Sequence, residues 1–257
     1  MRRQWTAPAP ADPDDDGLPV LAELAAPFAA AAHRTTAEPL GGSPALREAA
    51  GGYWARRGLP AGPGDVAAAP GGQPLLLALL AAVGGDVLLP RPCAAWYAPL
   101  ARLVGRPAYH APVPAECGGV PDPFALLEAV HRVRAEGGAP RAVLLSVADD
   151  PTGTAAPPEL LHEVCEAAVS AGLLVLSDET WRDTPHDPHG TVLVSPAEMW
   201  HEDVVVFADL AGALTPPGWP AAVARFPATA RGAELRDRVL AGLAAVRGRL
   251  TAPVAAA

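Results

Sequence analysis

Three acidic side chains, Asp150, Asp178 and Asp209, each come shortly after an apolar run that the sequence predicts to be a strand. Ligands of open parallel sheets bind beyond the carboxyl ends of the strands. Taken singly, an aspartate in such a turn more often caps the next element. Three of them together favour a polar site at one edge of a sheet.

A glycine-rich turn, Pro70-Gly71-Gly72-Gln73-Pro74, joins another predicted strand to the helix that follows it. The free backbone N–H groups and the dipole at the start of a helix favour an anion. The turn matches neither GxGxxG nor GxxxxGK[ST]. A phosphate site and a turn needed only for tight strand-to-helix geometry therefore both stay open.

The sequence contains no lysine, because all 19 residues counted as Lys+Arg are arginines. This excludes mechanisms that need a side-chain amine, such as a Schiff base, a P-loop lysine or a lysine general base. The 28 acidic residues give a net charge of −9. Such a chain has no global basic field to attract nucleic acid or an anionic membrane, so neither is an expected partner.

The remaining metal-binding and targeting signals are weak. Cys93, Cys117 and Cys165 are widely spaced and form no CxxC pair, which argues against a disulfide framework or a zinc knuckle. The segment 186–189 carries two histidines and an aspartate, but its proline indicates a surface loop. The apolar run 75–83 is far shorter than the ~20 residues that span a bilayer. We expect a cytoplasmic protein without a metal.

The elements that must position these residues alternate along the chain. Apolar runs predict strands at 65–69, 86–89, 107–111, 142–147, 173–177, 203–208 and 221–226. Helical patterns lie before the first strand at 18–32 and 43–58, between the strands at 73–83, 94–104, 122–135 and 158–171, and after the last strand at 229–250. Unalternating Val/Leu runs are typical of strands buried on both faces. The predicted fold class is α/β, a three-layer α/β/α sandwich with a mostly parallel sheet.

The last predicted helix carries an apolar stripe along one face, formed by Leu235, Val239, Leu243, Val246 and Leu250. Two arrangements of this stripe stay open. It exposes a second apolar surface, or it packs back onto its own sheet.

Five segments resemble, in order and spacing, the large domain of class I/II aminotransferases of fold type I, and they lie at 43–57, 71–73, 150–153, 177–179 and 204–224. The resemblance covers roughly residues 43 to 250. It implies a fold built around pyridoxal 5′-phosphate, a homodimer, and an amino acid or similar small molecule as substrate. It also implies an amino-terminal tail and arm over 1–38, a large domain over 39–250, and an end over 251–257 without the smaller carboxyl-terminal domain of the family.

Some positions match the cofactor-binding pattern of this family. Gly71, Gly72 and Gln73 match the turn that holds the cofactor phosphate, and Asp178 matches the carboxylate that pairs with the pyridine nitrogen. Such a carboxylate keeps the ring cationic, which makes the ring an electron sink. Asp150 stands where the family has an asparagine.

Other positions depart from the pattern. Trp181 replaces a tyrosine that contacts the ring hydroxyl, and Ala94 lies near the place of the ring-stacking aromatic, with Trp96 as a candidate substitute. Asp209-Leu210-Ala211-Gly212 stands in place of Ser-x-Ser-Lys, so Gly212 occupies the position of the Schiff-base lysine. Pro220 lies where the family carries a phosphate-binding arginine.

The resemblance therefore implies an aminotransferase-like protein that is catalytically inactive or truncated, with no catalytic residue to assign. Two alternatives stay open. The chain binds pyridoxal phosphate without a covalent bond, or Asp150, Asp178 and Asp209 form a divalent-cation site in an acidic α/β domain.

Overall fold

The structure is a computed structural model that describes residues 22–34, 36–187, 189–211, 214–215 and 219–246. Its strands are β1 (Val66–Ala69), β2 (Asp86–Arg91), β3 (Ala108–Pro112), β4 (Pro140–Ser146), β5 (Leu174–Asp178), β6 (Val204–Asp209) and β7 (Ala222–Arg225). Every predicted strand is present and begins and ends within two residues of its predicted bounds.

Two helices precede the first strand, five connect successive strands from β1 to β6, and one follows β7: α1 (Ala22–Ala31), α2 (Pro44–Ala55), α3 (Gly72–Val83), α4 (Tyr97–Leu103), α5 (Pro123–Ala135), α6 (Pro158–Ser170), α7 (Pro196–Met199) and α8 (Ala230–Ala245). Helices α2 and α5 each begin with a side-chain cap. The Ser43 side chain accepts a hydrogen bond from the Leu46 N–H, and the Asp122 side chain accepts from the first turn of α5. The sequence analysis did not predict the short helix α7.

The seven strands form one sheet in the order β1-β7-β6-β5-β4-β2-β3. The pairs from β6 through β5, β4 and β2 to β3 are parallel, whereas β7 is antiparallel to both of its neighbours. Because β7 reverses the direction twice, β1 and β6 point the same way. The carboxyl ends of β1, β4, β5 and β6 therefore meet at one edge of the sheet.

Helices cover both faces of the sheet and produce two apolar cores. One core packs α2, α5, α6 and α7 on the sheet around Trp54, Leu126 and Val164. The other core packs α3, α4 and α8 on the opposite face around Leu79, Tyr97 and Phe207. The three-layer α/β/α sandwich predicted from the sequence is confirmed.

Helix α8 packs back onto the molecule, so the stripe is not a second exposed apolar surface. Leu235, Val239 and Leu243 are buried in the core shared with α3. Gly242 brings the two helices close, since a Cβ on it would lie 3.4 Å from the Cβ of Ala78. Val246 is 52% exposed and continues the stripe beyond the packed region, and Leu250 lies outside the described residues.

Helix α1 packs against the segment before β7. The ring centroids of Phe28 in α1 and of Trp219 lie 3.7 Å apart, which places this helix against that segment.

Among the described residues, no helix combines the length and the apolar character needed to cross a membrane.

Candidate functional site

The sheet brings the acidic residues and the glycine turn to its carboxyl edge. Asp178 is the last residue of β5, and Asp209 is the last residue of β6. Gly72 begins α3 just after β1, on the same edge. The sequence analysis placed both aspartates just beyond their strands, whereas they are the last paired residues. Their backbones are therefore held by the sheet.

Asp178 is buried, with 4% of its surface exposed. Its Oδ2 accepts a hydrogen bond from the Tyr97 hydroxyl at 2.7 Å. Its Oδ1 accepts from the Thr180 N–H at 2.9 Å and from the Thr180 hydroxyl at 2.6 Å. Burial raises the pKa of Asp178, these hydrogen bonds lower it, and the nearby Asp209 charge raises it further. Three hydrogen bonds thus fix the carboxyl group in place.

Asp209 closes the glycine turn through its side chain. Its Oδ2 accepts a hydrogen bond from the Gly72 N–H at 2.9 Å, and its Oδ1 accepts from the Ala211 N–H at 3.0 Å. Burial raises the pKa of Asp209, and these two bonds oppose the shift. Its own N–H donates to the Thr180 hydroxyl oxygen at 3.0 Å. One continuous network therefore links Tyr97, Asp178, Thr180, Asp209 and the start of α3.

The two glycines of the turn are required for this arrangement. Gly71 has a φ of +128°, a conformation that side chains rarely adopt. A Cβ on Gly72 would lie 2.7 Å from Oδ2 and 2.8 Å from Cβ of Asp209, so only glycine leaves room for that side chain. Pro220 flanks the turn, with its Cβ 3.7 Å from the Cβ position of Gly71. The Gln73 side chain is exposed.

Asp150 and Trp181 are not among the hydrogen-bonded members of this network. Asp150 and Trp181 both line an open cavity of about 880 Å³, together with Asp149 and His186. Trp181 is 40% exposed there. Burial raises the pKa of Asp149, whose Oδ2 accepts a hydrogen bond from the Thr152 hydroxyl at 2.6 Å. The predicted site residues thus fall into a hydrogen-bonded network and the lining of an open cavity.

Residue 179 belongs to a different polar cluster. Glu179 is buried, and Arg182 bridges it to Glu198 with Nη–Oε distances of 2.8 and 2.9 Å. Burial raises the pKa of Glu179, and the Arg182 charge opposes that shift. Arg182 thereby connects Glu179 to Glu198 in α7.

Tyr97 and Thr180 are members of the network that the sequence analysis missed. Tyr97 shares a stripe in α4 with Leu100 and Ala101, which is typical of a core residue. Trp96, the candidate ring-stacking residue, packs edge-on against Tyr97 with ring centroids 4.8 Å apart. Ala94 is buried. Gly212 lies outside the described residues.

The divalent-cation alternative finds no ligand set. Within the described part of the chain, no group of three or more His, Cys, Asp or Glu side chains is placed to hold a metal ion. The oxygens of Asp178 and Asp209 instead accept hydrogen bonds from Tyr97, Thr180, Gly72 and Ala211.

Comparisons with known proteins agree on one family. The sequence model of aminotransferase class I and II matches residues 10–219. A protein of Thermus aquaticus described as a probable aspartate/prephenate aminotransferase is 28% identical over 214 residues, which cover 81% of this chain and 53% of that protein. The chain therefore spans about half the length of this curated relative.

Solved structures of aminotransferases share the fold. An aspartate aminotransferase from Thermus thermophilus superposes with a TM-score of 0.80 at 22% identity, over 93% of this chain and 60% of that one. An aspartate aminotransferase from Rhizobium meliloti gives a TM-score of 0.83 at 19% identity, over 96% and 60% of the two chains. These likenesses establish the fold of a pyridoxal phosphate-dependent enzyme of fold type I.

The described residues fit the pyridine ring of pyridoxal phosphate but not its phosphate group. Asp178 supplies a buried carboxyl of the kind that pairs with a pyridine nitrogen. At the glycine turn, however, the Asp209 carboxyl already takes the Gly72 N–H, and Pro220 supplies an apolar ring. The phosphate group of the cofactor therefore does not fit this turn as it stands.

Proposed function

Because this chain belongs to the aminotransferase class I and II family, we propose that it is a member without transaminase activity, which keeps the family fold as a binding domain. One observation carries the proposal: the 257 residues contain no lysine. The family chemistry begins with a lysine amine that bonds to the cofactor aldehyde. No other side chain supplies an amine nucleophile of this kind.

The site network supports the same conclusion. Asp209 begins the segment that stands in place of Ser-x-Ser-Lys, and its side chain is held by Gly72 and Ala211. This carboxyl group cannot replace an amine in bonding to an aldehyde. Two further expectations are part of the proposal: a homodimer, which the resemblance implies, and a cytoplasmic location, which the widely spaced cysteines favour.

Covalent trapping tests the proposal. The protein is incubated with pyridoxal phosphate, reduced with borohydride, digested and analysed by mass spectrometry. We expect no cofactor adduct on any internal peptide, because an aldehyde needs an amine partner and only the terminal amino group is available. A transamination assay with amino acids and 2-oxo acids should give no rate above that of free pyridoxal phosphate.

The Asp178→Ala variant serves as the matched control. A protein-dependent transamination rate that is lost in this variant would place the reaction at the network and contradict the proposal. An adduct on an internal peptide would contradict it as well.

A further inference from the structure

We propose that Asp209 makes the glycine turn reject phosphate groups, because the chain's own carboxylate occupies the anion position at the start of α3. The inference concerns binding rather than catalysis. It therefore stands or falls separately from the proposed lack of transaminase activity.

The contacts of Asp209 show that the position is filled. Helix α3 is 12 residues long, and its first N–H, that of Gly72, donates to Asp209 Oδ2 at 2.9 Å. An exposed first N–H is the group that an external anion uses at a helix start. Here that donor lies 137 residues from its acceptor in sequence, so the bond is a long-range closure and not a local turn.

The space around the turn also indicates that the anion position is filled. The space that a side chain on residue 72 would fill is taken by the Oδ2, Cγ and Cβ atoms of Asp209, at 2.7, 3.0 and 2.8 Å from the Cβ position. A phosphate oxygen bound to the Gly72 N–H has to lie where Oδ2 lies now. The carboxylate must leave before such a ligand enters.

Charge adds to this steric exclusion. A phosphate dianion beside the Asp209 carboxylate meets a like charge, and the repulsion between charges a few ångströms apart is strong in a partly buried setting. Pro220, which also flanks the turn, offers no positive charge to offset this repulsion. The Gly72 and Ala211 N–H groups give the carboxylate two donors and hold it in place.

Titration with inorganic phosphate at pH 8, followed by the backbone amide signal of Gly72 in NMR spectra, tests this proposal. The wild-type signal should show no saturable shift. In Asp209→Ala the donor is free, and we expect a saturable shift with phosphate binding at least about tenfold tighter than in the wild type. Pyridoxal phosphate should gain affinity in the same variant, whereas pyridoxal, which lacks the phosphate, should not.

Two further variants keep the test decisive. Asp209→Ser removes the charge together with the Oδ2 atom that takes the Gly72 N–H, while it keeps a small polar side chain, so it replaces Asp209→Ala if that variant fails to fold. Glu202→Gln removes one exposed negative charge away from the turn and controls for net charge. It should behave like the wild type.

Two results would overturn the inference. A saturable Gly72 shift in the wild type, with phosphate bound as tightly as in Asp209→Ala, overturns the inference. A folded Asp209→Ala or Asp209→Ser variant that binds no phosphate also overturns it, because the turn is then not an anion position. Neither result changes the trapping experiment on the missing amine.

Discussion

Thr180 joins the two carboxyl groups of the site through a single hydroxyl. It donates to Asp178 Oδ1 at 2.6 Å and accepts the Asp209 N–H at 3.0 Å. Asp178 is buried, so its carboxyl group has lost its hydrogen bonds to water. If a hydrogen-bond donor such as the Thr180 hydroxyl is removed, part of the free-energy cost of this desolvation is no longer compensated. The hydroxyl therefore matters to stability as well as to the geometry of the network.

The isosteric substitution Thr180→Val tests this role. It removes the hydroxyl and leaves the Asp209 N–H without its acceptor, so we expect a loss of about 1–3 kcal/mol in the free energy of unfolding. Urea denaturation measures the change. Thr180→Ser keeps the hydroxyl and should lose much less, and equal losses in the two variants would show that the methyl group, not the hydrogen bonds, accounts for the effect.

At the scale of elements, helix α8 shows that a sequence pattern predicts an apolar face but not the surface that covers it. The apolar stripe predicted a helix with one apolar face, and that face is real. Which surface covers it depends on α3 and on the close approach of Gly242 to Ala78. Periodicity contains no information about that partner.

Substitutions along the stripe test the packing of α8. Leu243 is fully buried against α3, so Leu243→Ala should lower the free energy of unfolding by about 2–5 kcal/mol through lost burial and a cavity. Val246 belongs to the same stripe but is 52% exposed. Val246→Ala should therefore change the free energy of unfolding by no more than about 0.5 kcal/mol. Similar losses at both positions would contradict the packing described here.

The strands and the site differ in how far the sequence predicts them. Uninterrupted apolar runs are local signals, and they predicted every strand of the sheet. The bond from Gly72 to Asp209 depends instead on β7 lying antiparallel between β1 and β6. Tyr97 looked like a core residue, and its hydroxyl partner lies 81 residues away. Such contacts follow from topology, which no single segment encodes.

At the scale of the whole molecule, several carboxyl groups lie buried or half-buried at or near the carboxyl edge. The chain has a net charge of −9. Burial raises the pKa of each of four carboxyl groups at or near this edge, those of Asp149, Asp178, Glu179 and Asp209. In each case the charged form loses more hydration on folding than its partners return.

These shifts fix the sign of the pH dependence. A carboxyl group with a folded pKa above its unfolded value binds its proton more tightly in the native state. Its contribution to stability is fully present below the unfolded pKa and is lost as the pH rises through the folded pKa. Weak acidification from neutral pH should therefore raise the free energy of unfolding, the opposite of the effect produced by salt-bridged carboxylates with lowered pKa values.

Urea denaturation between pH 7 and pH 4.5 measures this dependence. The wild-type midpoint should rise as the pH falls. Asp178→Asn should show a smaller rise, because an amide does not titrate while its oxygen still accepts from Thr180 and its NH₂ group can donate to the Tyr97 oxygen. Glu202→Gln removes an exposed carboxyl and should keep the full rise, since its side chain is 68% exposed. A rise of the same size in Asp178→Asn and in the wild type would show that the buried carboxyl at the end of β5 does not take up the proton.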